Sequence, residues 1–296
     1  PVLFESICKG IMKKIEEQPT GKKLLVKLLS TTNKASIKVF KANIGKIFFR
    51  EIHDAMGKSM RLMVSGGAPI SKGILIRMSS LGFPIIEGYG LTETAPVISI
   101  NNMETLKFGS VGKPLEGVEV KIVDANEQDI GEITVKGPIV MKGYYKNPDL
   151  TKKAIKDGWF YTKDLGFIDE EGYLYIKGRK DDVIILPSGK NIYPEEIEQH
   201  YSKSNLIKEI CVIGKKENNH ETLYAKVVPD KDEIDRLAIS DLNGAIKKEI
   251  EEYSNDLPLY KRIFSFDISE ENSLPKTSTL KFKKFEIKNN INKTKI

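Results

Sequence analysis

Cysteine is nearly missing: Cys8 and Cys211 are the only two in 296 residues, with no CxxC pair and no histidine at ligand spacing. That argues against a disulfide framework and a structural zinc site, and a reducing, cytoplasmic compartment is expected. Histidine is scarce too. His53, His200 and His220 form no HExxH or HxH pattern, so each is expected as an ordinary surface or helix residue rather than a ligand. No apolar run approaches the roughly 18 residues of a membrane span, and no signal peptide is visible. Charge of one sign is also lacking. The net charge is +6, but 47 cations face 41 anions along the same chain. That describes a solvated surface, and no nucleic-acid partner is expected. The excess gathers in "KFKKFEIKNNINKTKI", which is read as a solvated tail or as a peripheral contact for anionic lipid.

What is present suits about two domains, with 40% hydrophobic and 30% charged residues to build cores and cover them. The chain opens without an initiator Met, already inside an apolar pattern in which Leu3, Ile7, Ile11 and Ile15 recur at i, i+4. It is therefore expected to be a piece of something longer. Residues 1 to about 57 read as helices. "RLMVSGGAP" reads as a strand ending in a glycine-rich turn, "SKGILIRMSSLG" as a helix capped by Ser71 and stopped by Gly82, and "FPIIEGYG" as a second strand and turn. Residues 60–90 are thus a βαβ unit with a parallel pair, and ligands of such sheets sit at the carboxyl ends of strands. From about residue 110, "GVEVKIVD", "GEITVKG", "GYLYIKG" and "DVIIL" suggest a small β-rich subdomain. Beyond about residue 182, alternating helix and strand patterns suggest an α+β domain.

Two motifs are set aside. "GKS" at 57–59 lacks the upstream glycine of a phosphate loop, since position 52 is Ile. "VSGG" lacks the glycine two before Ser65 that a nucleophile elbow needs. The stretch "EGYGLTETAP" has more to offer. Tyr89 suits stacking on a base, Thr92 donation to a phosphate oxygen, and Glu93 a Mg²⁺ ion, which takes oxygen ligands. A polar turn with a core-packed tyrosine explains it equally well. Gly66 and Gly67 in "SGGAP" allow close backbone approach to a flat ligand, or simply a tight turn. In "DGWFYTKDLGFIDEEGYLYIKGRKDDVI", Asp164 suits both hydroxyls of a ribose and Arg179 offers a planar fork to the same sugar or its phosphate. A surface ion pair explains these two as well.

Taken together, "SGGAP", "EGYGLTET", "GYYKNPDLT", "DGWFYTKDLG", "GRKDDVI", "SGKNIYPEEIE" and "LPKTSTLK" stand in the order and rough spacing of the adenylate-forming (AMP-binding) synthetases. The sequence resembles the long-chain fatty acyl-CoA ligases in particular, from about residue 60 to 284. The resemblance implies an α/β fold: part of a large parallel-sheet domain plus a small β-rich subdomain and a C-terminal α+β lid. It implies residues 1–181 as the C-terminal part of the AMP-binding domain, with the β subdomain from about 110, and 182–296 as the mobile lid. It implies ATP-dependent activation of a fatty acid to acyl-AMP, then transfer to CoA, with Mg²⁺.

Residue by residue, the resemblance assigns Gly67, Ala68, Pro69, Glu87, Gly88, Tyr89 and Gly90 to nucleotide binding, with Tyr89 stacking on adenine. Thr92 takes the α-phosphate and Glu93 the Mg²⁺, while Asp164 and Arg179 take the ribose. Asp181 is the hinge, Lys281 the adenylation lysine, and Asn191 lies on the phosphate side. Two departures stand out: Lys163 and Leu280 occupy positions where the family usually has glycine. The family's Ser/Thr/Gly-rich phosphate loop is not found in residues 1–60, so this chain alone is not expected to adenylate. Two alternatives stay open, a truncated module that binds AMP or a partner without catalysis, and another adenylating ligase for aryl acids or carrier-protein loading.

Overall fold

The computed structural model describes residues 2–40, 42–217, 220–277 and 280–293. Residues 278–279 of "LPKTSTLK" and the last three of the basic stretch lie outside them. The chain forms two compact units, one of residues 1–162 with 166–176, the other of 163–165 with 177–296.

The first unit opens with helices α1 (Val2–Glu16), α2 (Thr20–Phe40), α3 (Gly45–Phe48) and α4 (Arg50–Met56). The inward face of α1 is Phe4, Ile7, Cys8, Ile11 and Met12, while Leu3 is 68% exposed. The i, i+4 stripe therefore fails at its start. Each four-residue step overshoots a helical turn by about 40°, so the stripe drifts off the buried face. Strand β1 (Met63–Ser65), helix α5 (Lys72–Ser80) and strand β2 (Ile85–Tyr89) follow. β1 pairs with β2 in parallel, Ser65 opposite Glu87, as the βαβ reading requires. Ser71 precedes α5 with extended backbone, but its side chain makes no capping bond.

Gly82 ends the α5 turn at φ +90°, and a Cβ there would lie 2.8 Å from the Gly45 carbonyl carbon. Both the dihedral and the space demand glycine. His53, expected as an ordinary residue, is buried: it stacks on Phe83 at 3.8 Å and donates from Nε2 to the Leu81 carbonyl at 2.9 Å. Leu75, Met78 and Ile85 complete this core.

β2 continues antiparallel to β3 (Ser99–Ile100), which pairs with β4 (Lys113–Pro114). This sheet therefore contains one parallel pair and two antiparallel ones, and is mixed rather than purely parallel. The β-rich part holds β5 (Glu119–Val123), β6 (Gly131–Lys136), α6 (Pro148–Ala154), β7 (Ile155–Lys156), β8 (Trp159–Ile168) and β9 (Leu174–Arg179). Its strand order is β5-β6-β8-β7, with β9 beside β8. Ile98, Val118, Ile133, Val135 and Leu174 form its core. The turn after β8 closes with the Gly172 N–H donating to the Asp169 carbonyl at 2.9 Å. α6 went unforeseen although its signal is present: Asn147 accepts from the Leu150 N–H at 3.1 Å and Pro148 starts the helix.

The second unit contains β10 (Ile184–Ile185), β11 (Asn191–Ile192), α7 (Pro194–Tyr201), β12 (Ile207–Glu217), β13 (His220–Pro229), α8 (Lys231–Arg236), α9 (Leu242–Ser254), β14 (Ser265–Ile268) and α10 (Lys284–Lys293). β12 and β13 form an antiparallel hairpin and β14 joins β13 in parallel. Both faces of β12 are covered, which is why "EICVIG" is apolar without alternation. Ile210 and Val212 point into a core with Ile197, Tyr201, Ile246 and Ile250, while Cys211 and Ile213 meet Tyr224, Leu274 and Ile287.

The described part of the basic stretch, residues 281–293, is thus no free tail. From Lys284 it is a helix with Ile287 buried and Lys288 paired to Glu221 at 2.6 Å. Cys8 and Cys211 are both buried free thiols. No helix among the described residues is long and apolar enough to cross a membrane. Ile197 is fully buried, so Ile197→Ala should destabilise the second unit by about 2–5 kcal/mol, read as a lowered urea midpoint by circular dichroism. A shift near zero would show that this core collapses around the loss.

Candidate active site

Parallel pairing puts the carboxyl ends of β1 and β2 side by side, so the turns leaving them are neighbours. A Cβ on Gly66 would come 3.4 Å from the Gly88 carbonyl oxygen. Gly67 has φ +80°, and Ala68 is half-buried between exposed Gly67 and Pro69. Gly90 is sterically required: a Cβ there would lie 1.9 Å from the Pro96 carbonyl oxygen. Tyr89 is half-buried and packs partly against the Ile98 core, so the core-packing reading of this ring is realised in part.

Thr92–Thr94 make one turn of 3-10 helix. Thr94 serves the turn itself, accepting from the Leu91 N–H at 3.0 Å and donating to the Leu91 carbonyl at 2.9 Å. Thr92 is exposed and Glu93 half-buried. Glu93 is braced twice. Its Oε1 accepts from the Tyr144 hydroxyl at 3.1 Å, and its carbonyl accepts from the Met141 N–H at 2.8 Å. Tyr144 lies in the quoted "GYYKNPDLT" but had been given no role. The signal was the motif's presence, and the missing step was the fold that brings it to residue 93.

Glu87 is 8% exposed and accepts from the Gly109 N–H at 3.3 Å. Burial pushes its carboxyl up to about 7. Opposite it in register, Ser65 has a buried hydroxyl with no hydrogen-bond partner.

In the second unit, Arg179 Nη1 donates to Asp164 Oδ1 at 2.8 Å, and the Asp164 side chain is 9% exposed. Both the ion pair and the burial are therefore present. Lys163 Nζ meets Asp181 Oδ2 at 3.1 Å, with side chains 59% and 65% exposed; such a pair contributes about 1 kcal/mol at most. Asn191 is exposed on β11, opposite Ile185. Lys281 is exposed in a loop whose ends are tied. Its N–H donates to Thr277 Oγ1 at 3.2 Å and its carbonyl accepts from the Thr277 N–H at 2.8 Å.

Lys163 and Leu280, the two departures from glycine, have φ +61° and +62°. Glycine adopts this left-handed backbone at no steric cost, which explains the usual residue at both positions. Among the described residues no group of three or more His, Cys, Asp or Glu side chains is arranged to hold a metal.

A family model for AMP-binding enzymes matches residues 11–145, and one for the AMP-binding enzyme C-terminal domain matches residues 181–291. The chain belongs to this family. A long-chain-fatty-acid–CoA ligase of Mycobacterium bovis is 39% identical over 169 residues, 57% of this chain and 27% of its own length. A chloroplastic long-chain-fatty-acid–[acyl-carrier-protein] ligase of Arabidopsis thaliana is 30% identical over 291 residues, 80% of this chain and 40% of its own.

Among solved structures, o-succinylbenzoate coenzyme A synthetase from Bacillus subtilis, in complex with ATP and magnesium ion, is similar at 30% identity and TM-score 0.68. That match covers 82% of this chain and 50% of that one. The AMP-binding family thus accounts for the fold, and the chain spans half or less of the length of each of these proteins.

The raised carboxyl of Glu87 generates a stability prediction. A group favoured in its protonated form by folding contributes most below about pH 4.5, and the contribution is lost as pH rises to about 7. Glu87→Gln should therefore gain about 3 kcal/mol relative to wild type between pH 4.5 and 8, measured by urea denaturation at both values. A difference independent of pH would show that Glu87 ionises as freely in the folded state as in the unfolded chain.

Proposed function

We propose that this chain is the C-terminal part of an ATP-dependent fatty acyl-CoA ligase. The observation that carries the reading is the braced 87–93 turn at the carboxyl end of β2. It presents Thr92 in the open and Glu93 oriented by Tyr144. Similarity to a long-chain-fatty-acid–CoA ligase, 39% identical over 57% of the chain, supports the substrate class.

The reaction sets anion against anion. A carboxylate oxygen attacks the α-phosphorus of ATP, an acyl–phosphate bond forms, and pyrophosphate leaves. The residues act on that repulsion. Tyr89 and the 67–69 turn take adenine, Asp164 and Arg179 the ribose, and Thr92 donates to the α-phosphate. Gly90 lets the backbone pass where no side chain fits. Lys281 brings a point charge on a flexible stem to the oxygens on which charge develops. Rotation about Asp181 then withdraws Lys281, and a thiol attacks the acyl carbonyl, expelling AMP.

The donor set fits a magnesium ion: one half-buried carboxylate, Glu93, with its orientation fixed, beside an exposed hydroxyl at Thr92. Such an ion takes one or two protein carboxylates and fills its shell with phosphate oxygens and water. When bound, it lowers the charge that the incoming carboxylate meets.

A second reading differs only in the acceptor. Similarity to a carrier-protein ligase extends over 80% of the chain, which favours acyl carrier protein as an alternative acceptor to CoA. One assay tests both readings. In the full-length protein, with fatty acids of several lengths, acyl-AMP should form and pass to one thiol, CoA or carrier protein. Lys281→Ala should cut acyl-AMP formation by about 100-fold or more. Intact acyl-AMP formation in that variant would remove Lys281 from catalysis.

A further inference from the structure

The loop that carries Lys281 is anchored at both ends by lysines that the reaction does not use. On the incoming side, Lys276 Nζ donates to both oxygens of Glu209 on β12, each at 2.6 Å. The Lys276 side chain is only 16% exposed. On the outgoing side, Lys284 is 8% exposed and its Nζ lies 3.2 Å from Glu195 Oε1 and 3.1 Å from Glu198 Oε1, both on α7. Glu198 is fixed in turn by the Val212 N–H, which donates to its Oε1 at 2.7 Å. Described residues between the anchors bond to one another. Lys276 and Phe282 form an isolated antiparallel bridge, and the Lys283 N–H donates to the Pro275 carbonyl at 2.9 Å. Lys281 is therefore an exposed ammonium on a short loop whose two ends are fastened to different elements of one sheet-and-helix layer.

A buried lysine needs its countercharges, and here they hold. Burial lowers the proton affinity of Lys284, but Glu198 and Glu195 outweigh it and keep the ammonium above its ordinary range. Neither anchor contacts the other: Lys276 is tied to β12 and Lys284 to α7. The two ion pairs stand five residues before and three residues after Lys281.

We infer that Lys276 with Glu209, and Lys284 with Glu195 and Glu198, are positioning residues for Lys281: they clamp its loop so that adenylation, and not thiol transfer, depends on them. This rests on the assignment of Lys281 as the adenylation lysine. A displacement of about 1 Å at a catalytic group costs up to 100-fold in rate.

The two half-reactions separate positioning from folding. In the full-length protein, acyl-AMP formation is followed by fatty-acid-dependent exchange of pyrophosphate into ATP, and thiol transfer by supplying acyl-AMP directly. Lys276→Met and Glu209→Gln, both on the less buried anchor, should slow the first reaction about 10- to 100-fold and leave the second within about twofold. Lys276→Arg should restore the first, because a guanidinium can reach the same carboxylate, and Lys284→Arg should retain it. Thermal melting of each variant reports folding. Equal loss in both half-reactions, or no loss in either, would overturn the inference. Lys281→Ala run in parallel keeps the two ideas apart. If it too spares acyl-AMP formation, the assignment of Lys281 fails; if it alone abolishes it, only the clamp fails.

Discussion

Asp164 is a carboxylate taken almost out of water, and the arrangement around it depends on the Arg179 guanidinium that meets it at 2.8 Å. A buried carboxylate without a partner costs several kcal/mol, so β8 and β9 must bring these two positions together. A carboxylate has two oxygens and about four lone-pair sites, so it can accept from several donors at once. A vicinal diol such as that of ribose offers two. The proposed sugar-binding role draws on that capacity.

The turns of the first unit obey a similar logic. Parallel pairing of β1 with β2 makes neighbours of two turns, and crowding at Gly90 excludes any side chain there. Glu93 and Tyr144, 51 residues apart in the chain, are joined by a hydrogen bond. None of these contacts is strong by itself. They restrict the alternatives open to Glu93, and under the proposed function a preorganised group acts without reorganising during the reaction.

Much of this was legible in the sequence. Glycine-rich turns after short apolar runs marked the βαβ unit, and alternating patterns beyond residue 182 marked the α+β unit, because local propensity and burial agree there. Other features were hidden for physical reasons. The Asn147–Pro148 start of α6 lies inside a stretch read only for its resemblance to a family motif, so its capping signal was not weighed. The "KFKKFEIKNN" stretch looked solvated because two of its lysines, Lys284 and Lys288, are countered by glutamates far away in sequence, Glu195, Glu198 and Glu221. No local pattern can reveal such partners. Tyr144 was invisible as a brace for the same reason. Conversely, Lys163 and Leu280 stood out as departures from glycine, and their left-handed backbone explains why glycine is the usual choice.

Ribose recognition by Asp164 can be tested without any turnover. Calorimetric titration of the full-length protein with AMP and with 2′,3′-dideoxy-AMP, before and after Asp164→Asn, isolates the hydroxyl contacts from every other effect of the substitution. Loss of about tenfold or more in AMP affinity, with dideoxy-AMP unchanged within about twofold, is the expected result. An equal loss for both nucleotides, or none for either, would contradict a sugar-binding role for this carboxylate.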